Sequence, residues 1–466
     1  MVKAAIKQPM PQLFKMPAMT RRVVITGLGP VSAVGLGIEP TWEAAVAGRS
    51  GIGPITAFDA SGFDCRIAGE VRDLSVKDFV PKNYRKATKV MARDIELAVV
   101  AADFAARDAA LVTRGTNPDE APSYAPHRVG AHIGAGLIAG ELNELTTALA
   151  EARAEDGSFD IHRWGESGME HLTPLWLLKY LPNMLACHVT IIHDCQGPSN
   201  TITCAEASAG LSIGESLRVI QRGAADACFC GGAESKLNPM AFLRQLMTGR
   251  YNTTSNDDGS RAVRPFCQNA AGSIVGEGGG IVVLEALETF RQRYAAASGD
   301  VKPRAYAEIA GFGASQTVNR EARNLRPDPE GRGIAVAIRA ALREANVAPG
   351  DIDLIIAFGL GLRETDAAEA EALKRVFGET LSGVPVVSTK ALVGNCGAGA
   401  GGLDVCLAAR AIAEQMIPAT INCESPLPGI NAGSAPARSA KINTVLTYSA
   451  GIGGQNAALV LKKIEV

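Results

Sequence analysis

One unit occurs twice in this chain and constrains its fold more than any other feature. In "QGPSNTITCAEASAGLSIGESLRVIQRGAADACFCGG", Gln196 to Gly232, a short strand runs into a turn, then a helix of small residues, then an apolar strand. In "VPVVSTKALVGNCGAGAGGLDVCLAARAIAEQMIP", Val384 to Pro418, a strand, a glycine-rich turn and another small-residue helix follow one another. "INTVLTYSAGIGGQNAALVL" then supplies two closing strands around a glycine turn. Gly210 and Gly214 lie four apart on one helix side, where a missing Cβ lets another backbone come close. Gly223 is placed to stop that helix. Two such units predict a duplicated α/β fold.

The rest of the chain fits between these landmarks. "RRVVITGLGPVSAVG" predicts a strand from Val23 into a turn, and "RKATKVMARDIELAVVAADFAARDAAL" a long amphipathic helix. "RVGAHIGAG" and "DIDLIIAFGLGL" each read as a strand entering a glycine turn. Glu151 to His171, with Trp164 embedded, is a polar excursion, and "LTPLWLLKYLPNMLACHVTII" is apolar enough to be buried against the body or a partner subunit. The expected organisation is a tail over 1–20, a first half over 21–290 with insertions, and a second half over 291–466.

Composition narrows the function. A net charge of −2 gives no electrostatic reason to expect nucleic acid or an acidic membrane surface. No apolar run approaches the ~20 residues of a membrane span. The first 22 residues carry five basic groups and no acid, lack the apolar core of a signal peptide, and read as a disordered tail. The ten cysteines show no zinc-like pairing and read as buried thiols in a reducing cytoplasm. Cys228 and Cys230, one residue apart in an apolar strand, are expected on opposite sides of it. Nothing signals a nucleotide, flavin or metal site, so no cofactor is expected.

"VVITGLGPVSAVGLG", "SGIGPITAFDASGFDCRIAGEV", "QGPSNTITCAEASAG", "ACFCGGAESKLNP", "RAVRPF", "IVGEGGGIVVLE", "VVSTKALVGNCGAGAGG" and "GIGGQN" occur in this order. Together they closely resemble the elongating β-ketoacyl-[acyl-carrier-protein] synthases, from about Arg21 to the C-terminus. The resemblance implies the thiolase-like fold, in which duplicated α/β halves form five layers (αβαβα). It also implies a dimer that condenses malonyl units held on an acyl carrier protein. That chemistry uses a cysteine thiolate at a helix N-terminus and two histidines that steer decarboxylation.

The resemblance also shows what this chain lacks. Family spacing puts six residues between the GPS triplet and the nucleophile, which reaches Glu206 and not Cys204. The distance on to "GGAE" agrees, and a gap promoting Cys204 would rotate the helix's buried face by about 200°. The first histidine position is Phe358 and the second Asn395, and no histidine follows His193. Lys390 and Glu369 match the family's supporting lysine and glutamate, and Asp404 stands where many members carry another carboxylate. A buried Lys390–Glu369 ion pair is the plain structural reading of the first two. Ala450 replaces the aromatic gate of many members, beside Gly451 and Gly453 of the glycine turn, which would line the substrate path.

Three readings follow. The first is a non-condensing, chain-length-factor-like subunit that shapes an acyl pocket as a heterodimer with an active ketosynthase. The family's chain-length factors commonly carry glutamine at the cysteine position. The second is an acyl-thioester enzyme with altered chemistry using Glu206. The third is a non-catalytic homodimeric binding or scaffold protein. Cys204, placed on a strand face with Glu206, and Cys396 are read as core filler; His188 and His193 as structural; Trp164 and Trp176 as core or pocket lining.

Overall fold

The computed structural model describes residues 21–297, 302–319 and 326–464, and the expected tail over 1–20 lies outside these. Among the described residues, two five-stranded units, each interleaved with three of the α-helices, build the core. The first comprises β1 (Val23–Ser32), α1 (Arg93–Asp108), β2 (Val129–Ala135), α2 (Met184–His193), β3 (Ser199–Ile202), α3 (Ser208–Gln221), β4 (Ala227–Glu234) and β5 (Gly278–Ala286). The second comprises β6 (Ala307–Gln316), α4 (Arg332–Ala345), β7 (Leu354–Ile356), α5 (Arg363–Phe377), β8 (Val386–Val387), α6 (Ala400–Glu414), β9 (Thr444–Ala450) and β10 (Gln455–Lys462).

The duplication is explicit in the pairing. The first unit runs β3-β2-β4-β5-β1 and the second β8-β7-β9-β10-β6. In both, the first two contacts are parallel and the last two antiparallel. The units join where Val24 and Ile25 pair with Glu308 and Ala307. α3 and α6 lie between the two sheets; α1 and α2 cover one outer face, α4 and α5 the other. This is the five-layered arrangement that the resemblance implied. β4 and β5 are buried along their whole length, as strands covered on both faces must be.

Glycine sets the spacing of the middle layer. A Cβ on Gly214 would sit 2.4 Å from the Phe312 ring of β6, and one on Gly402 of α6 would sit 2.0 Å from the Gly280 carbonyl oxygen of β5. α3 ends at Gln221, and Gly223 follows at φ +75°.

Several local expectations change. The predicted helix over Arg85–Leu111 begins only at Arg93; Lys82–Val90 is 3₁₀ and Ala92 is extended. The Thr88 hydroxyl donates to the Arg85 carbonyl at 2.8 Å, the local bonding that competes with helix. From Arg93 on, α1 is amphipathic: its incompletely buried residues Arg93, Glu96, Phe104, Arg107 and Asp108 fall on one stripe, while the first sheet and α2 pack on the rest. Cys228 and Cys230 share one face of β4, in the core beneath the middle helices, while Phe229 points to the other side. With one residue between them they are two steps apart, and a strand's faces repeat every two. The segment before α2 is only partly covered: Leu175 and Leu177 remain exposed. His188 and His193 are buried in α2, their Nδ1 atoms bonded to Tyr84 Oη at 2.8 Å and Thr113 Oγ1 at 2.9 Å. Burial pushes both imidazoles down, to about 4 and about 3. Trp164 packs on Phe159 and Trp176 on Tyr180.

Candidate functional site

The chain leaves β3 at Ile202 and reverses through one 3₁₀ turn, Ala205–Ala207, before α3 begins. Ala205 has φ +49°, a left-handed conformation that costs a residue with a Cβ and recurs at functional turns. Ser208 ties the turn: its Oγ donates to the Ala205 carbonyl at 2.6 Å and accepts from the Cys204 N–H at 2.8 Å. Glu206 stands in this turn, 3% exposed. Cys204 lies before the turn instead of on the strand, so the chain reversal breaks the shared face expected for the two residues.

Three groups hold the Glu206 carboxylate. Arg250 Nη2 lies 2.8 Å from Oε1, Asn395 Nδ2 donates to Oε1 at 3.2 Å, and the Ile452 N–H donates to Oε2 at 2.9 Å. Burial opposes the charge, but Arg250 and the backbone donors outweigh it and hold the carboxyl below the ordinary glutamate range. Asn395 is itself fixed: Oδ1 accepts from the Gly397 N–H at 3.1 Å, and Nδ2 also reaches Tyr251 Oη at 3.4 Å. A cavity of about 290 Å³ opens beside this cluster, walled by Gly136, Leu137, Gln245, Tyr251, Asn395 and the Glu234–Lys236 pair. Among the described residues lining it are Thr203, Ala205 and Glu206, but not Cys204.

Phe358, Lys390 and Glu369 form a second buried cluster. Lys390 pairs with Asp404 at 2.6 Å and lies 5.1 Å from the centre of the Phe358 ring. The expected Lys390–Glu369 pair is therefore corrected to Lys390–Asp404. Glu369 accepts instead from the Gly359 N–H at 3.0 Å and Tyr448 Oη at 2.9 Å. Burial, then the neighbouring Asp366 charge, raises its carboxyl above the usual range. Ala450 and Gly451 line a second, smaller pocket with Thr317, Arg326 and Arg250. Gly453 turns its carbonyl to Gln316 Nε2 at 2.7 Å, and its neighbours Ile452 and Gly454 line the pocket in its place.

Arg250 and Tyr251 escaped the sequence reading. They follow a helix over Pro239–Leu246, in a loop where periodicity carries no signal. Burial raises the thiols of Cys204 and Cys396, the latter to about 12, so neither is poised as a thiolate.

Comparison with known proteins places this geometry in a family. The β-ketoacyl synthase N-terminal domain profile matches residues 20–289 and the C-terminal domain profile residues 306–424. The chain belongs to the β-ketoacyl synthase family. It is 33% identical to 3-oxoacyl-[acyl-carrier-protein] synthase 2 of Synechocystis sp. over 96% of this chain and 99% of that protein. It is 34% identical to the Coxiella burnetii protein of the same name, over 95% and 99%. Among solved structures it resembles the ishigamide ketosynthase/chain length factor, with a TM-score of 0.79 and 29% identity, covering 96% of this chain and all of that one. The five layers are accordingly the thiolase-like fold. Among the described residues, no helix is long and apolar enough to cross a membrane, and no group of three or more His, Cys, Asp or Glu is placed to hold a metal.

Proposed function

We propose that this chain is a non-condensing, chain-length-factor-like subunit that works in the cytoplasm as a heterodimer with an active ketosynthase, shaping the pocket for an acyl chain delivered on an acyl carrier protein. The observation that carries this reading is the locked Glu206 carboxylate in the turn before α3. Attack of such a group on a thioester would give a mixed anhydride, a product prone to hydrolysis. A carboxylate whose basicity is lowered by an arginine and two N–H donors is also a weak nucleophile and a weak general base. This weighs against altered acyl chemistry at Glu206. Phe358, at the first histidine position by resemblance, has no donor, and Asn395 spends its amide on Glu206. The resemblance to a structure that contains a chain length factor supports the partner role.

Purified protein incubated with acyl- and malonyl-acyl carrier protein is expected to elongate nothing. Glu206→Cys is expected to remain at least about a hundredfold below an intact synthase, since losing one oxyanion donor alone costs on the order of 10²–10³ in rate. Elongation by the wild-type chain alone would overturn the proposal. Co-expression with an intact synthase is expected to yield a complex, and recovery of a homodimer only would favour the scaffold reading.

A further inference from the structure

Two cysteines from different halves of the chain meet in the interior. Cys267 lies in the loop before β5, and Cys423 follows α6, 156 positions further along the chain. Their thiols lie against each other, and both residues are 1% exposed. The backbone holds them there. Cys267 bridges Pro426 in antiparallel register, with the Gln268 N–H donating to the Ser425 carbonyl at 2.8 Å and the Leu427 N–H to the Phe266 carbonyl at 2.8 Å. Ser434 fixes the other partner: its Oγ accepts from the Cys423 N–H at 2.8 Å, and its N–H donates to the Cys423 carbonyl at 2.9 Å.

The segment that carries Cys267 also supports the two positions where the family resemblance expects histidine. Phe266 has φ +55°, and its N–H donates to Asp366 Oδ2 at 2.7 Å. A Cβ on Gly359, next to Phe358, would sit 2.8 Å from the Phe266 ring. Further along, the Asn395 N–H donates to the Ile274 carbonyl at 2.8 Å, and the Gly276 N–H donates to the Asn395 carbonyl at 3.0 Å.

We infer that Cys267 and Cys423 form an oxidation site, where a peroxide converts the two thiols to an intrachain disulfide that tethers the Phe266–Gly276 segment to the chain after α6. One sulfur takes an oxygen from the peroxide, giving a sulfenic acid and releasing water. The second sulfur attacks the first, the S–S bond forms, and a second water leaves. Two electrons pass from the sulfur pair to the peroxide, whose oxygens both end as water. Burial, then the neighbouring sulfur, pushes the Cys423 thiol up to about 12, so the pair rests as two thiols. Both sulfurs are covered, so oxidation waits on local opening and is slow. The site is independent of whether the chain condenses acyl units.

The test treats folded wild type, Cys267→Ala and Cys423→Ala with hydrogen peroxide in the absence of denaturant. The remaining thiols are then alkylated and the peptides mapped by mass spectrometry. Wild type is expected to yield one peptide pair joined through Cys267 and Cys423, lighter by two hydrogens than the separate peptides and released by dithiothreitol. Neither variant should yield it. Hydrogen exchange gives a second readout: in oxidised wild type, amides from Phe266 to Gly276 and that of Asn395 should exchange more slowly than in the reduced protein, and dithiothreitol should restore the rate. Peroxide should also raise the denaturation midpoint of wild type and leave that of either variant unmoved, because the bond closes a long loop in the unfolded chain. No linked peptide from folded wild type, or linkage only in denaturant, would overturn the site. Linkage with unchanged exchange would overturn the tether. The wild-type map decides the linkage by itself, so a variant that folds poorly does not obscure it.

Discussion

Arg250→Met offers the sharpest stability test of the site. The substitution keeps most of the side-chain bulk but removes the guanidinium 2.8 Å from Glu206 Oε1. The carboxylate is left 3% exposed, with the Asn395 amide at 3.2 Å and the Ile452 N–H at 2.9 Å. Removing one member of a buried pair typically costs about 3–5 kcal/mol, because the other charge stays desolvated. Glu206→Gln strands Arg250, 8% exposed, in the same way. The double variant strands neither, and replacing both charges with uncharged groups of similar volume is often neutral. A double-mutant cycle by guanidinium denaturation near pH 7 should therefore give a coupling of about 3 kcal/mol or more. The pH dependence carries a second signature. The folded pKa of Glu206 lies below its ordinary value of 4.5, so the pair's contribution is complete above about pH 4.5 and drains away as the pH falls through the folded pKa. The cost of Arg250→Met should thus be largest where Glu206 is ionised in both proteins and shrink as acid protonates the stranded carboxyl, whose folded pKa rises when the guanidinium is lost. Single costs under about 1 kcal/mol that simply add in the double variant would show a solvent-relaxed pair and refute the reasoning.

Three further outcomes are expected. Lys390→Met leaves Asp404 buried without its cation and should destabilise by about 3–5 kcal/mol, while adding Asp404→Leu should recover much of the loss, as read from denaturation midpoints. Asp366 and Glu369 are buried carboxyls whose folded pKa values are raised, to about 7 and about 8, so the native state binds the extra protons and stability should fall as pH rises from the ordinary carboxylate range to those values; Glu369→Gln should flatten that fall in thermal scans from about pH 4.5 to about pH 8. Gly214→Ala puts a Cβ 2.4 Å from the Phe312 ring and should cost about 1–3 kcal/mol by overpacking, measured as a lowered denaturation midpoint with secondary structure retained.

The local grammar of this fold is legible in the chain. Each strand, turn and small-residue helix lies within a few tens of residues, and its signals act over one or a few turns: Gly223 after α3, Gly210 and Gly214 on one face, the paired strands around Gly451–Gly454. Counting from the GPS triplet reaches Glu206, and the structure sets Glu206 in the turn before α3 because that stretch is one continuous unit. The long-helix expectation failed where side-chain bonding at Thr88 competed locally with the helix, and the cysteine expectation failed by miscounting a period of two.

By itself the sequence determined the order of the elements, the doubled strand–turn–helix unit, and the absence of any imidazole beyond His193. Only the tertiary structure decided the partners of the buried charges. Arg250 meets Glu206 from 44 positions further along the chain, past helix, strand and loop, and Lys390 takes Asp404 instead of Glu369. Periodicity and propensity describe neighbours a few residues apart. Which cation reaches which carboxylate depends on where distant loops converge, and on the burial that makes an unpaired charge too costly to keep.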